Sequence, residues 1–416
     1  MAVILLAVGS RGDVQPLAEL AGALAECGVP CHLVGLAEYS DIATARGVDF
    51  TPLHVSLADT LSASQRVRTL ASRSVVQAAL LRRFTGQLTQ PLAAALSSRV
   101  RPGDTILTGL LGAGAAASLA EARGCRVATL LFTGQTPTRY RGSHFFSHAF
   151  TRWDAYNRWG ADLNWRVAVG LGNPITHRVR QALRLRRWCG RDIVAAVDSH
   201  PIIVAASPLL VPPAPDWPHH VHQTGFLHRS DARGPLPDEL TEFLDEGDPP
   251  VFVGVGSFTG AVTDEAPSLL HAASLASGRR IVTQAHGAVR GRLAETVLAV
   301  EAPHDALFPR MAALIHHGGA GTSQQGLLSG RPQVAVPFGA DQPYHGRRLH
   351  ALGVGPSPVS FSRLTPPRLA LLIRELADGP NSDAYARRAA TIAELTRETD
   401  GLSDTVQLLR QWGYLD

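Results

Sequence analysis

Ile315-His316-His317-Gly318-Gly319-Ala320-Gly321-Thr322 is the stretch that decides the fold. An apolar run from Met311 to Ile315 ends in two histidines. Three glycines and a threonine follow, and a helix-like segment runs on through Leu328. A strand therefore feeds a glycine-rich turn that opens a helix. Glycines let a ligand approach the backbone closely, and the first N–H groups of a helix attract an anion. Nineteen residues beyond Thr322 stands Asp341-Gln342, after a second strand-like run from Gln333 to Pro337. A phosphate seat followed by a carboxylate–amide pair points to a phosphorylated ligand that also carries hydroxyls.

Around this stretch lie 416 residues, enough for two domains of about 200 residues each. Hydrophobic residues make up 45% and charged residues 18%, the balance of a folded globular chain rather than a disordered one. A net charge of +4 supplies no global field for nucleic acid. All 39 basic residues are arginines, so lysine chemistry is excluded. Neither a Walker phosphate loop nor a pyridoxal Schiff base can be built. Cys27, Cys31, Cys125 and Cys189 lack the second pair a zinc site needs, so no metal is expected and the thiols read as reduced. The N-terminus opens directly on a strand-like run with no basic leader, which predicts a cytoplasmic protein.

Read in order, Ala2–Val8 is a continuous apolar run, the pattern of a buried parallel strand. Gly9-Ser10-Arg11-Gly12-Asp13 forms a tight loop, and a helix with Pro16 in its first turn continues to about Glu26. Cys31–Leu36, Thr105–Thr108, Arg126–Phe132 and Pro201–Ala206 continue the strands. After the prolines of 208–218, Val251–Val255 begins a second series through Ile281–Thr283, Val297–Val300, Ala312–Ile315 and Gln333–Val336. Strands alternating with helices predict an α/β fold of two Rossmann-like, doubly wound domains facing a cleft. The expected boundaries are 1–207, a proline-rich linker 208–222, a second domain 223–398, and a terminal helix within 399–416 that packs back on the first domain. Such sheets bind ligands beyond the carboxyl ends of their strands, where Ser10, Asp13, Thr133 and Gln135 fall. Between Tyr140 and Trp165 eight aromatics crowd together, among them Phe145, Phe146 and Trp153. They are either local core or the wall of a large apolar pocket. The six arginines within 177–191 read as a solvated helix face, or as an attraction for an anionic surface.

The motif at His316–Thr322, followed by Arg331-Pro-Gln-Val-Ala-Val-Pro337 and Gly339-Ala-Asp-Gln-Pro343, resembles the signature of family 1 glycosyltransferases. Gly9-Ser-Arg-Gly-Asp-Val-Gln-Pro16 is similar to the branch that contains bacterial antibiotic glycosyltransferases and sterol glucosyltransferases. The resemblance implies a GT-B fold and inverting transfer of a sugar from a UDP- or dTDP-sugar to a hydroxyl of a hydrophobic small molecule. It implies no metal and no further cofactor. Partners would be the nucleotide sugar and the acceptor, with membrane contact only for a lipid acceptor, in a monomer or homodimer.

Residue by residue, the resemblance gives His316 the donor diphosphate, with Gly318, Gly319, Gly321 and Thr322 as the seat. Ser10, Gly256 and Ser257 would add donors. A hydrogen bond beside a helix N-terminus stabilises charge growing on a leaving group. Neighbours on a strand point to opposite faces, so only one of His316 and His317 should aim at the phosphates. Asp341 and Gln342 would hold the sugar, unless Asp341 merely caps a helix. Asp13 is the expected general base; its other reading is a cap on the first helix. Gln324, where relatives often carry a glutamate, would meet the ribose, and His304 and Ala306 the base. Thr133, Gln135, Phe145, Phe146 and Trp153 would face the acceptor. Three alternatives stand beside this reading: a sterol or lipid glucosyltransferase, a nucleotide-sugar epimerase on the same fold that needs no acceptor, and a non-catalytic nucleotide-sugar-binding partner protein.

Overall fold

The computed structural model describes the chain except residues 57–73, 141, 143–150, 230–235, 255–265, 286–288 and 416, and the side chains of Ser74, Val75 and Gln77. It divides into two units, Met1–Arg229 with Asp400–Asp416, and Ser230–Thr399.

In the first unit, β1 (Val3–Ala7), β2 (Cys31–Leu36), β3 (Asp49–Leu53), β4 (Thr105–Thr108), β5 (Arg126–Leu131), β6 (Ile202–Val204) and β7 (Val221–Gln223) form one sheet, in the order β3-β2-β1-β4-β5-β6-β7. Every pairing in it is parallel. Both faces of β1 are buried, which explains its continuous apolar run. Val3, Leu5 and Ala7 pack with the helix Arg11–Glu26, while Ile4 and Leu6 pack with the helix Ser74–Arg99 through Phe84, Leu88 and Leu92. Each fully buried Val or Leu is worth about 1.5–3 kcal/mol relative to exposure.

The proline-rich stretch 208–218 does not link the two units. It runs inside the first and leads to β7, which pairs with β6. The expected linker 208–222 and the domain start at 223 are corrected accordingly. The terminal helix Gly401–Gln411 belongs to the first unit as well. Leu402, Val406 and Leu409 join the core of the helix Arg11–Glu26. Thr405 Oγ1 bonds Thr224 Oγ1 at 2.8 Å. A Cβ at Gly401 would lie 2.5 Å from the carbonyl carbon of Gly225, so glycine is required for that seating.

The second unit holds β8 (Val251–Gly254), β9 (Ile281–Gln284), β10 (Gly291–Ala294), β11 (Val297–Val300), β12 (Ala313–His316) and β13 (Gln333–Ala335), in the order β10-β11-β9-β8-β12-β13. Only the edge pairing of β10 with β11 is antiparallel. Val253 and Ile315 pack on one face of this sheet, Phe252 and Leu314 on the other. Among the described residues no helix is long and apolar enough to cross a membrane.

Candidate active site

Each sheet has one place where strand order reverses, and ligands of such sheets sit beyond the carboxyl ends of the strands that flank it. In the second unit those strands are β8 and β12. β12 ends at His316, level with Gly254 at the end of β8, and the His317 N–H donates to the Gly254 carbonyl at 3.1 Å. Gly256 and Ser257, expected to face the seat, lie outside the described residues.

The turn after β12 is built around Gly318, whose φ of +87° lies in the left-handed region. A Cβ there would press on the Gln342 carbonyl oxygen at 3.0 Å and on Ala335 Cβ at 3.1 Å. The Gly318 N–H donates to His316 Nδ1 at 3.0 Å, and its carbonyl accepts from His345 Nδ1 at 2.8 Å. Gly319 is then the N-cap of the helix Ala320–Ser329, and no side chain of that residue caps the helix. The positive end of the helix dipole and its first-turn donors sit at the switch point.

The two histidines part company as strand alternation predicts, but in the opposite sense to the assignment above. His316 is 1% exposed, and both ring nitrogens are engaged internally. Nδ1 accepts from Gly318, so Nε2 carries the hydrogen and donates to Gln333 Oε1 at 2.8 Å. Gln333 in turn reaches the Ser323 carbonyl at 3.4 Å and occupies the space left by Gly326. Burial keeps the His316 imidazole neutral, pushing its pKa down to about 4. A ring held this way is a buttress of the turn, not a group presented to phosphate. His317 is the one with accessible surface. Its Nε2 lies over Gly319, where a Cβ would overlap it. Desolvation, with the neighbouring His316 second, lowers its pKa to about 3. At neutral pH it offers a neutral imidazole beside the helix N-terminus.

A similar one-residue displacement affects the helix. Gln324 is 1% exposed and sits on the core face with Leu327 and Leu328. Gln325 keeps accessible surface one turn beyond Gly321 and Thr322, which are also accessible. Gln324, expected at the ribose, is therefore not on the accessible face of the helix.

Asp341 stands at the N-cap of the helix Gln342–Leu352, yet its side chain makes no capping bond. The carboxylate is 25% exposed and approaches His345 Nδ1 at 4.0 Å. The preceding Ala340 has φ +51°, strained for a residue with a Cβ. Gln342 is 4% exposed, and its Oε1 accepts from the Phe338 and Gly339 N–H groups at 2.7 and 3.2 Å. It shapes the loop that carries Asp341; its oxygen is not presented outward. His304 stacks on Phe308 at 4.3 Å and meets Gln284 Oε1 at 3.0 Å, with Ala306 half-buried beside it.

In the first unit the reversal falls between β1 and β4. Here the helix N-terminus is closed by its own side chains. The Ser10 Oγ accepts from the Gly12 N–H at 3.3 Å, and Asp13 Oδ2 accepts from the Ser10 N–H at 2.8 Å. The Asp13 carboxylate fills the space over Gly9, where a Cβ would overlap it. Its Oδ1 points toward Gly109, at the end of β4, 3.8 Å from where a Cβ would stand. Ser10 is thus a capping residue, and one oxygen of Asp13 shares that work.

Thr133 is buried at the end of β5, and the half-buried Gln135 turns back on it through an N–H···O bond of 2.9 Å. The same loop is pinned by Asp216 from the proline-rich stretch, which accepts from Thr138 Oγ1 at 2.5 Å and from the Arg139 N–H at 2.9 Å. Burial opposes the Asp216 charge; those bonds and Arg158 outweigh it and hold the carboxyl below its ordinary pKa. The aromatic segment divides. Trp165 is core, donating to Asp198 at 2.9 Å. Trp153, at the start of the helix Asp154–Gly170, is 66% exposed, and Tyr156 and Trp159 are exposed with it. Phe145 and Phe146 lie outside the described residues. Of the arginines in 177–191, Arg180 is buried, stacked on Trp188 at 3.5 Å and bonded to Glu121 at 2.7 Å. Among the described residues no group of three or more metal-ligating side chains occurs.

Residues 275–397 match a family model described as the C-terminal domain of erythromycin biosynthesis protein CIII-like proteins. The chain is 32% identical to a vancomycin aglycone glucosyltransferase of Amycolatopsis orientalis, over 98% of this chain and 97% of the relative. It is 27% identical to a sterol 3-beta-glucosyltransferase of Arabidopsis thaliana over 98% of this chain, and spans 65% of that relative's length. Among solved structures, glycosyltransferase VinC in complex with dTDP aligns with a TM-score of 0.64 at 20% identity, covering 99% of both chains. That likeness establishes the GT-B fold.

Proposed function

The chain belongs to the family of antibiotic and sterol glycosyltransferases, and on that premise we propose that it is an inverting enzyme that moves a sugar from a UDP- or dTDP-sugar to a hydroxyl of a hydrophobic natural-product aglycone. The observation that carries the donor half is the uncapped glycine turn at the β8/β12 switch point, with His317 lying over Gly319. The diphosphate takes the first-turn N–H groups of Gly319–Thr322 and the imidazole of His317. The ribose hydroxyls fall to Gln325, the sugar hydroxyls to Asp341, and the base to the stack of His304 on Phe308. As the glycosidic bond to phosphate breaks, negative charge grows on the departing diphosphate. A helix N-terminus and a neutral imidazole N–H stabilise that charge without a metal.

In the first unit Asp13 takes the acceptor proton. An alcohol must lose that proton as its oxygen attacks the anomeric carbon, and a carboxylate held rigidly meets it in fixed geometry. The bonds to Oδ2 contribute to that hold. Thr133, Gln135 and the exposed aromatics near Trp153 are the proposed acceptor contacts. An aglycone is favoured over a sterol by the full-length match to a glycopeptide enzyme, against a partial-length match to the sterol enzyme.

Thermal-shift titration with UDP, dTDP, GDP and ADP in the absence of magnesium tests the donor half. Stabilisation by UDP or dTDP alone is expected, worth about 2.7 kcal/mol at a hundredfold excess over Kd. No shift with any of the four overturns the phosphate seat. Chromatography of reactions with polyketide, glycopeptide and sterol acceptors then tests the transfer. Product from the sterol only would replace the aglycone reading, and conversion of the sugar nucleotide to its epimer without an acceptor would favour an epimerase.

A further inference from the structure

His345 stands one helical turn after Asp341 and has its imidazole fully buried between that carboxylate and the Gly318 carbonyl. Gly318 belongs to the turn after β12, whereas Asp341 begins a different helix, so one side chain touches both halves of the donor site. A carbonyl oxygen only accepts, so the 2.8 Å contact requires that His345 Nδ1 carry the hydrogen. That bond, with the one from the Gly318 N–H to His316 Nδ1, occupies both backbone polar groups of the left-handed glycine. The helix is also seated on Gly318 by contact, since the Gln342 carbonyl oxygen lies 3.0 Å from where a Cβ would stand. The position of Asp341 is therefore tied to the position of the turn, through the backbone at Gln342 and through the ring at His345.

We propose that His345 is a positioning residue that sets the register between the diphosphate seat and the sugar-contacting carboxylate. This rests on the donor reading given above. Neither ligand group touches His345. Its hydrogen bond holds the Gly318 peptide plane, and with it the direction of the following N–H groups, while its helix fixes where Asp341 stands. Without the bond a buried carbonyl loses its donor and the turn relaxes away from the helix. The seat and the sugar contact then move independently, and the sugar moiety adds less to donor affinity.

The test compares His345→Leu, which removes the donor, with His345→Asn, whose amide nitrogen takes the place of Nδ1. Calorimetric titration with UDP and dTDP identifies the nucleotide that the wild-type enzyme binds, and the corresponding nucleotide glucose is then titrated. For His345→Leu, an affinity for the nucleotide diphosphate at least tenfold weaker is expected. The affinity ratio of sugar nucleotide to diphosphate should fall toward one. His345→Asn should restore both to within about threefold of wild type. Circular dichroism and melting temperature establish that each variant is folded. Wild-type affinities and ratio in folded His345→Leu overturn the proposal. So does an equal loss in both variants that follows their melting temperatures, because a merely structural residue behaves that way. If the wild-type enzyme itself binds neither nucleotide, it is the donor reading that fails.

Discussion

The two switch points are built on one plan and finished in opposite ways. Each places a glycine loop and the N-terminus of a helix at the carboxyl end of a central strand, after β1 in one unit and after β12 in the other. After β1 the helix N-terminus is closed by Ser10 and Asp13, so a carboxylate already occupies the place of an anion. After β12 the capping position is Gly319, which has no side chain to offer. An incoming diphosphate would meet repulsion at the first and unsatisfied donors at the second. The same local fold thus holds a fixed carboxylate in one unit and, on the proposed reading, takes a mobile anion in the other, with the residue at the cap making the difference.

The strongest way to break this contrast is Asp13→Asn. The amide oxygen still accepts from the Ser10 N–H, so the cap survives while the basic oxygen is lost. Turnover should fall about 10²–10⁴-fold, with donor binding retained. If turnover is unchanged, Asp13 is only a cap and the base lies elsewhere. If donor binding falls in parallel, the two units do not divide the labour as proposed.

Next in size is the pH response of the turn after β12. His316 is buried and neutral, with a pKa of about 4 against 6.5 for the ordinary side chain. The unfolded chain therefore binds the extra proton between those values, and the native state does not. Stability is fully present above about pH 6.5 and is lost as pH falls toward 4. The shift corresponds to about 3 kcal/mol, an order-of-magnitude figure. Urea unfolding of wild type and His316→Phe at pH 7 and pH 5 checks it. The wild type should lose stability over that interval, and the variant, less stable at pH 7, should lose less. Equal slopes would mean that His316 takes up its proton at Nδ1 as readily in the native turn as in the unfolded chain, despite the Gly318 N–H that this nitrogen accepts.

How much of this was legible in the sequence follows from where the deciding contacts lie. The strands that flank both reversals are continuous apolar runs, because parallel strands bury two faces, and they were readable. Asp49–Leu53 was not, since Pro52 and a charged first residue suit only an edge strand. Val221–Gln223 was hidden because it follows a proline-rich stretch and has a histidine at its centre. The strand, glycine turn and helix from Ala313 to Ser329 were legible as such. Which histidine keeps accessible surface was not, because alternation separates His316 from His317 without naming the outer one. That choice is made by Gln333, a residue on the neighbouring strand that comes into contact only once β12 and β13 pair. Gln324 and Gln325 differ by about 100° around a helix, and the apolar positions Leu327 and Leu328 were a usable guide to the buried face. His345 was also within reach, since four residues after Asp341 is one helical turn.

Gly319→Ala sharpens the contrast from the uncapped side. The new methyl overlaps His317 Nε2 and would turn the ring away from the helix N-terminus. A histidine side chain rotates at little cost to the fold, and the φ of −61° at Gly319 is open to alanine. Melting temperature should therefore change little, while affinity for UDP or dTDP falls about tenfold, near 1.4 kcal/mol. Unchanged affinity would leave the seat to the backbone N–H groups alone and remove His317 from it.

Ser10→Ala probes the capped side and has the smallest expected effect. Loss of an N-cap hydroxyl costs about 1 kcal/mol, visible as a shift in the urea midpoint. The Asp13 bond to the Ser10 N–H uses backbone on the donor side, so the variant keeps that half of the capping box. Turnover then reports whether the remaining half holds the carboxylate in place: a modest fall in kcat with an unchanged KM for the donor means that the cap orients the base. A tenfold weaker donor KM would instead place the Ser10 hydroxyl at the diphosphate. In that case the first helix, although capped, also contributes to the anion site, and the division between the two switch points would be one of degree.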